Sequence, residues 1–102
     1  MATTDILDAT DIETKVAIRP PKNFNVVLYN DNTTTMEFVI LVLMSVFYKN
    51  FEEASALTMQ IHELGRGIAG TYSLEVATQK QVDTLNAARI NGFPLKCEVQ
   101  ET

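Results

Sequence analysis

The polar and apolar positions of this chain fall into a short series of regular segments. Phe24, Val26 and Leu28 alternate with Asn25, Val27 and Tyr29, the two-residue period of a strand. A polar cluster, Asn30-Asp31-Asn32 and three threonines, ends that strand. Thr34-x-x-Glu37 then has the form of a capping box and predicts a helix over roughly Met36 to Lys49. This helix is apolar nearly all round, which predicts a central place between other elements. Any face the fold leaves uncovered should line a pocket or an interface.

Asn50-x-x-Glu53 is a second cap and opens a helix running to Leu64, with Gly65 closing it in a left-handed conformation. Its buried stripe is predicted as Ala54, Leu57, Ile61 and Leu64. Thr58 and His62, four apart, share one edge of that stripe. Residues 67–72 read as a short strand. Ser73 can cap a third helix, on which Leu74, Ala77, Gln81, Leu85 and Ala88 fall in one sector. Asn91-Gly92 stops it, Pro94 prevents its resumption, and Leu95, Cys97 and Val99 alternate as a last strand.

The order β-α-α-β-α-β predicts an α+β fold: a compact two-layer domain, with helices on one face of a three-stranded antiparallel sheet. Residues 1–22 carry Asp5, Asp8, Asp11 and Glu13 among threonines and end at the stiff Pro20-Pro21 boundary. They are expected to form a flexible tail ahead of a core domain spanning 23–102. The other reading of the tail is a short helix formed on a partner, with Ile6, Leu7 and Ala9 as its apolar patch.

At 102 residues and 46% hydrophobic content, one small domain with a real core is expected. Thirteen acidic against eight basic side chains give a net charge of -5, which argues against nucleic acid and tolerates cationic partners. The single cysteine, Cys97, excludes an intramolecular disulfide and a cysteine-based zinc site, and suits a reducing compartment. The apolar run from Met36 to Tyr48 falls short of the about 20 residues a membrane span needs. The amino terminus lacks the basic start and apolar block of a signal peptide. A cytoplasmic protein with no membrane association, cofactor or metal is the expectation.

Four features invite a chemical reading. Gly65-Arg66-Gly67-Ile68-Ala69-Gly70 is a literal G-x-G-x-x-G. A dinucleotide fingerprint, however, must follow a strand and open a helix, and here the order is inverted. His62 is the only histidine, and no nucleophile or metal set accompanies it; a structural histidine is the commoner outcome. Cys97, on the inward face of a strand, behaves as a small apolar residue. Asn30-Asp31-Asn32 suits turn chemistry. Yet if Thr34 caps the helix, Asn30 and Asp31 are acceptors in excess, and the Asp31 charge makes a ligand ammonium conceivable. The residues alone stop at a small α+β binding domain.

Taken in order, several pieces of the chain resemble the ClpS family of adaptors, which hand N-degron substrates to a Clp AAA+ unfoldase and its protease. These are Pro20-Pro21 leading to VVLYND, T-x-M-E-F-V from Thr34 to Val39, His62 with the Gly65-x-Gly turn, G-x-x-x-x-E-V-A-x-x-K from Gly70 to Lys80, and G-F-P-L followed by Cys97. The resemblance spans about residues 22–100. It implies a non-enzymatic adaptor, expected to be monomeric, that binds proteins and peptides with a free amino terminus and Leu, Phe, Tyr or Trp as first residue. It also implies docking on the N-terminal domain of the unfoldase.

By similarity, Asn30, Asp31 and His62 meet the α-amino group. Thr34, Met36, Val39, Thr58, Ile61 and Leu95 wall the first side chain, and Glu75 and Lys80 dock on the chaperone. Neutral His62 can accept a hydrogen bond and protonated His62 cannot, so binding should weaken on acidification. Thr58 stands where many relatives carry a methionine, which implies a wider pocket that tolerates Ile or Val. Asn32 replaces a usual acidic residue. Thr35 replaces a frequent proline and is expected to loosen the start of the helix. A ribosomal-stalk-like interaction module, which does not read amino termini, is the alternative.

Overall fold

The computed structural model describes residues 22–102; the expected tail, but for Lys22, and its partner-formed helix lie outside the described residues. The described chain runs β1 (Phe24–Tyr29), α1 (Met36–Ser45), α2 (Phe51–Leu64), β2 (Arg66–Tyr72), α3 (Leu74–Ile90) and β3 (Lys96–Glu101). β1 is the middle strand and pairs antiparallel with both neighbours, in the order β2-β1-β3. The α+β order and the three-stranded antiparallel sheet expected from the sequence are therefore observed.

Alternation decides which side of the sheet joins the core, although Val27 on the other side is also buried, at 4% exposed. Val26 and Leu28 are fully buried and join Ala69 and Cys97 in the core. On the opposite side, Tyr29 donates from its hydroxyl to Glu98 Oε1 at 2.9 Å, and its ring lies 4.7 Å from Lys96 Nζ. A register shift between Val26 and Val27 leaves Ala69 opposite no β1 residue, a bulge in β2.

The helices differ from expectation in instructive ways. α1 ends at Ser45, not Lys49. Tyr48 takes the left-handed backbone (φ 56°), and the chain turns so that Phe47, 6% exposed, plugs the core from a loop. The apolar run continued, but it served packing and not helix. Nor is α1 central. Phe38, Val39, Val42 and Leu43 are buried, whereas Leu41 is 62% exposed. α1 packs chiefly on α2, and Phe38 meets Phe93 with ring centroids 4.9 Å apart.

In α2 the capping box forms: Glu53 N–H donates to Asn50 Oδ1 at 2.8 Å, and Asn50 N–H to Glu53 Oε1 at 3.2 Å. Gly65 closes the helix at φ 93° as expected. Leu64, assigned to the buried stripe, is instead 71% exposed, because it falls in the last turn, where the chain leaves for β2. In α3 the buried positions are Ala77, Thr84 and Ala88; Leu74 and Leu85 face outward. Small residues let α3 lie close to the sheet, and the larger leucines cannot share that face.

The three glycines of the G-x-G-x-x-G run each have a structural reason. Gly65 needs its positive φ. A Cβ on Gly67 would sit 2.8 Å from Ile61 Cγ1, and one on Gly70 would strike the Tyr72 ring.

Candidate functional site

The strand β1 and the helix α2 end side by side because Asn30 N–H donates to Gly65 C=O at 2.9 Å. That bond sets Asn30 beside the last turn of α2, which carries His62. The residues around this junction enclose one small pocket, lined by Tyr29, Asn30, Asp31, Thr34, Met36, Val39, Thr58, Ile61, His62 and Leu95. All nine residues assigned above to the amine site and the side-chain pocket thus line a single depression. Tyr29 was not anticipated: strand alternation sends its ring to the other side of the sheet, where Glu98 holds its hydroxyl.

The loop before α1 is organised by Asp31. Its Oδ1 accepts from Thr33 N–H at 2.8 Å and Thr34 N–H at 2.7 Å, and its Oδ2 accepts from the Thr34 hydroxyl at 2.7 Å. This corrects the expected capping. Thr34 is held outside the helix by Asp31, and Thr35 becomes the cap, its Oγ1 accepting from Phe38 N–H at 3.1 Å. Thr35 therefore secures the start of α1, where loosening was expected. No reciprocal box with Glu37 forms, since the residue three beyond the true cap is Phe38.

The same bonds correct the idea that Thr34 leaves Asp31 free. A carboxylate has about four acceptor positions, and here three are taken, which leaves one on Oδ2. Burial pushes the Asp31 carboxyl up, but the Thr34 hydroxyl and the Thr34 and Thr33 amides outweigh it and hold it below its ordinary value. Asp31 is therefore a fixed negative charge at neutral pH. Asn30 and His62 are exposed at the rim. Below them the walls are apolar: Val39, Ile61 and Leu95 are 7%, 3% and 5% exposed, and Met36 overhangs at 38%. The cavity measures about 10 Å³, room for about one water molecule.

Nothing in the site provides a nucleophile. Cys97 is buried on β3, where burial and the charge of Glu98 push its thiol up to about 12. Among the described residues, no cluster of His, Cys, Asp and Glu could hold a metal ion, and no helix is long and apolar enough to cross a membrane. A larger cleft of about 310 Å³ beside β2, lined by Val27, Leu64, Ile68, Arg66 and neighbours, contains none of the anticipated site residues.

Glu75 and Lys80 lie together on α3, with Val76, Gln79 and Asp83, along a shallow groove of about 370 Å³. They are not equally free. Lys80 Nζ donates to Val46 C=O at 2.6 Å, beyond the end of α1, and sits 4.4 Å from the centre of the Tyr48 ring. Glu75 is exposed in the first turn of α3.

The chain is similar to known proteins along most of its length. The family model for the ATP-dependent Clp protease adaptor protein ClpS matches residues 19–98. The ClpS adapter protein of Lawsonia intracellularis is 48% identical over 84 residues, covering 82% of this chain and 77% of the relative. That of Campylobacter jejuni is 46% identical over 81 residues, covering 79% and 84%, and that of Wolinella succinogenes 39% over 92, covering 90% of each. The structure of Agrobacterium tumefaciens ClpS2 bound to L-phenylalaninamide superposes with a TM-score of 0.79 at 28% identity, over 81% of this chain and all of that one. The chain belongs to the ClpS family of Clp protease adaptors, which are binding proteins and not enzymes.

Proposed function

We propose that this ClpS-family chain reads the free amino terminus of N-degron proteins and delivers them to a Clp AAA+ unfoldase. The observation that carries the reading is the convergence, in one pocket, of the rim residues Asn30, Asp31 and His62 with an apolar wall of Met36, Val39, Ile61 and Leu95. An α-ammonium brings three N–H donors, and burying it beside apolar surface requires acceptors for them. Asn30 offers an amide oxygen, Asp31 its remaining acceptor position and its charge, and His62 a ring nitrogen. An acetylated or internal residue lacks those donors and leaves the rim unpaired.

The ligand of the Agrobacterium relative supports the reading. L-phenylalaninamide has a free amine, an aromatic side chain and an amide where the next peptide bond would begin. In this chain the resting cavity is far too small for such a side chain, so binding opens it. Met36, half-exposed and with three rotatable side-chain bonds, is the lining residue best able to move. Leu, Phe, Tyr and Trp are the expected first residues, and Thr58 in place of a longer side chain extends tolerance to Ile and Val. Glu75 and Lys80 are assigned to docking on the unfoldase's N-terminal domain, with the adaptor as a monomer.

Fluorescence anisotropy with a labelled Leu- or Phe-initiated peptide and its N-acetylated copy tests the reading. Binding of the free form alone supports it. Equal binding, or none, overturns it.

A further inference from the structure

We propose that Thr58 selects a first residue with a hydroxyl at its tip, tyrosine above all, by hydrogen bonding that hydroxyl inside the pocket. The inference rests on the amino-terminal reading of the site and adds a specificity to it. Thr58 is 3% exposed, and its Oγ1 has no hydrogen-bond partner among the described residues. Two other buried hydroxyls, Ser55 and Thr84, are also unpartnered, but neither lines the pocket. A threonine inside a helix ordinarily bonds back to the carbonyl four residues earlier, here Ala54, and Thr58 does not. A hydroxyl withdrawn from water without a partner costs free energy, which a ligand's polar group can recover.

Position gives the class of ligand. Thr58 lies one helical turn before His62 on the same edge of α2, about 6 Å along the axis from the rim. That separation is close to the reach from a tyrosine Cα to its hydroxyl. A tyrosine whose amine sits among Asn30, Asp31 and His62 therefore brings its hydroxyl to Thr58. The intervening walls, Met36, Val39, Ile61 and Leu95, suit its ring. The remaining polar side chains of the lining are otherwise committed: the Thr34 hydroxyl donates to Asp31, and the Tyr29 hydroxyl to Glu98. Both hydroxyls can donate or accept, so the pair forms in either sense. Phenylalanine fills the same space and leaves Thr58 unpaired, the kind of mismatch that polar sites reject.

The test uses two labelled peptides, identical except for Tyr or Phe as the free first residue, titrated by anisotropy into the full chain. Wild type should favour Tyr by about fivefold, the ratio one ordinary hydrogen bond yields. Thr58→Val, nearly isosteric, should abolish that ratio, and its urea midpoint reports separately that the variant is folded. Thr58→Ser should keep the ratio. Equal binding of the two peptides to wild type overturns this inference but leaves the amino-terminal reading intact, as does a ratio unchanged in Thr58→Val. If neither free-amine peptide binds wild type, both fall.

Discussion

Thr34 is fastened to Asp31 at two atoms: its amide donates to one carboxylate oxygen and its hydroxyl to the other, each at 2.7 Å. With the Thr33 amide, this cage holds the loop that carries Asn30 and Asp31 against the start of α1. The folded state keeps the Asp31 carboxyl below its ordinary 3.8, so the cage stabilises fully at neutral pH. It is lost as pH falls below that ordinary value and through the lower folded one. Urea unfolding of wild type and Asp31→Asn at about pH 7, 5, 4 and 3 should show a stability gap that is constant down to about pH 5 and closes below about pH 4. A gap that persists unchanged to pH 3 refutes the cage.

Binding has its own pH dependence, of the opposite origin. His62 stands at the pocket rim, and in the proposed reading it accepts from the ligand amine, which only a neutral ring can do. Affinity for a Leu-initiated peptide should therefore fall on acidification. His62→Gln, which retains an acceptor at any pH, should bind more weakly at pH 8 but with a flatter profile. Parallel profiles for the two proteins would remove His62 from the amine site.

Element order was legible because it rests on local periods and caps, such as Asn50 with Glu53 and the left-handed Gly65; which strands pair, in the order β2-β1-β3, was not. The site was also less legible. Nothing in the spacing shows that Asn30 N–H reaches Gly65 C=O, thirty-five positions on, yet this bond joins the two halves of the rim. Thr34 and Thr35 are equivalent as caps by propensity; the choice follows from Asp31, which captures Thr34 first. Composition likewise marks Phe47 as helix, and only tertiary packing turns it into the core from a loop.

Gly67 links the fold to the pocket. A Cβ there would lie 2.8 Å from Ile61 Cγ1 and 3.1 Å from Leu57 Cδ1, and Ile61 is a pocket wall. Gly67→Ala should cost about 1–3 kcal/mol by overpacking. It should also weaken binding of Leu-initiated peptides by displacing Ile61. Gly65→Ala, whose Cβ meets nothing within 4 Å, costs about 1–2 kcal/mol through its positive φ alone. It should leave peptide affinity nearly unchanged once compared at equal folded fraction. Chemical unfolding and anisotropy on both variants check this; equal losses of affinity would show that the glycines act only through stability.

Lys80 and Glu75 share a groove but not a role in the resting fold. Lys80 Nζ satisfies the Val46 carbonyl just past the end of α1 and lies against the Tyr48 ring, at a residue whose backbone is left-handed. Removing it leaves that carbonyl without its charged donor and releases the turn. Lys80→Ala should therefore destabilise by about 1.5–3 kcal/mol, the range for hydrogen bonds to charged groups. Glu75→Ala, at an exposed helix position, should stay within about 0.5 kcal/mol. If both residues dock on the unfoldase, each substitution weakens binding to its isolated N-terminal domain. Only Lys80→Ala should also lower the urea midpoint. Lys80→Arg, which keeps the charge but not the compact ammonium, should recover part of the docking and little of the stability. A Lys80→Ala protein as stable as wild type would show that the Val46 contact contributes nothing to holding α1 and α3 together.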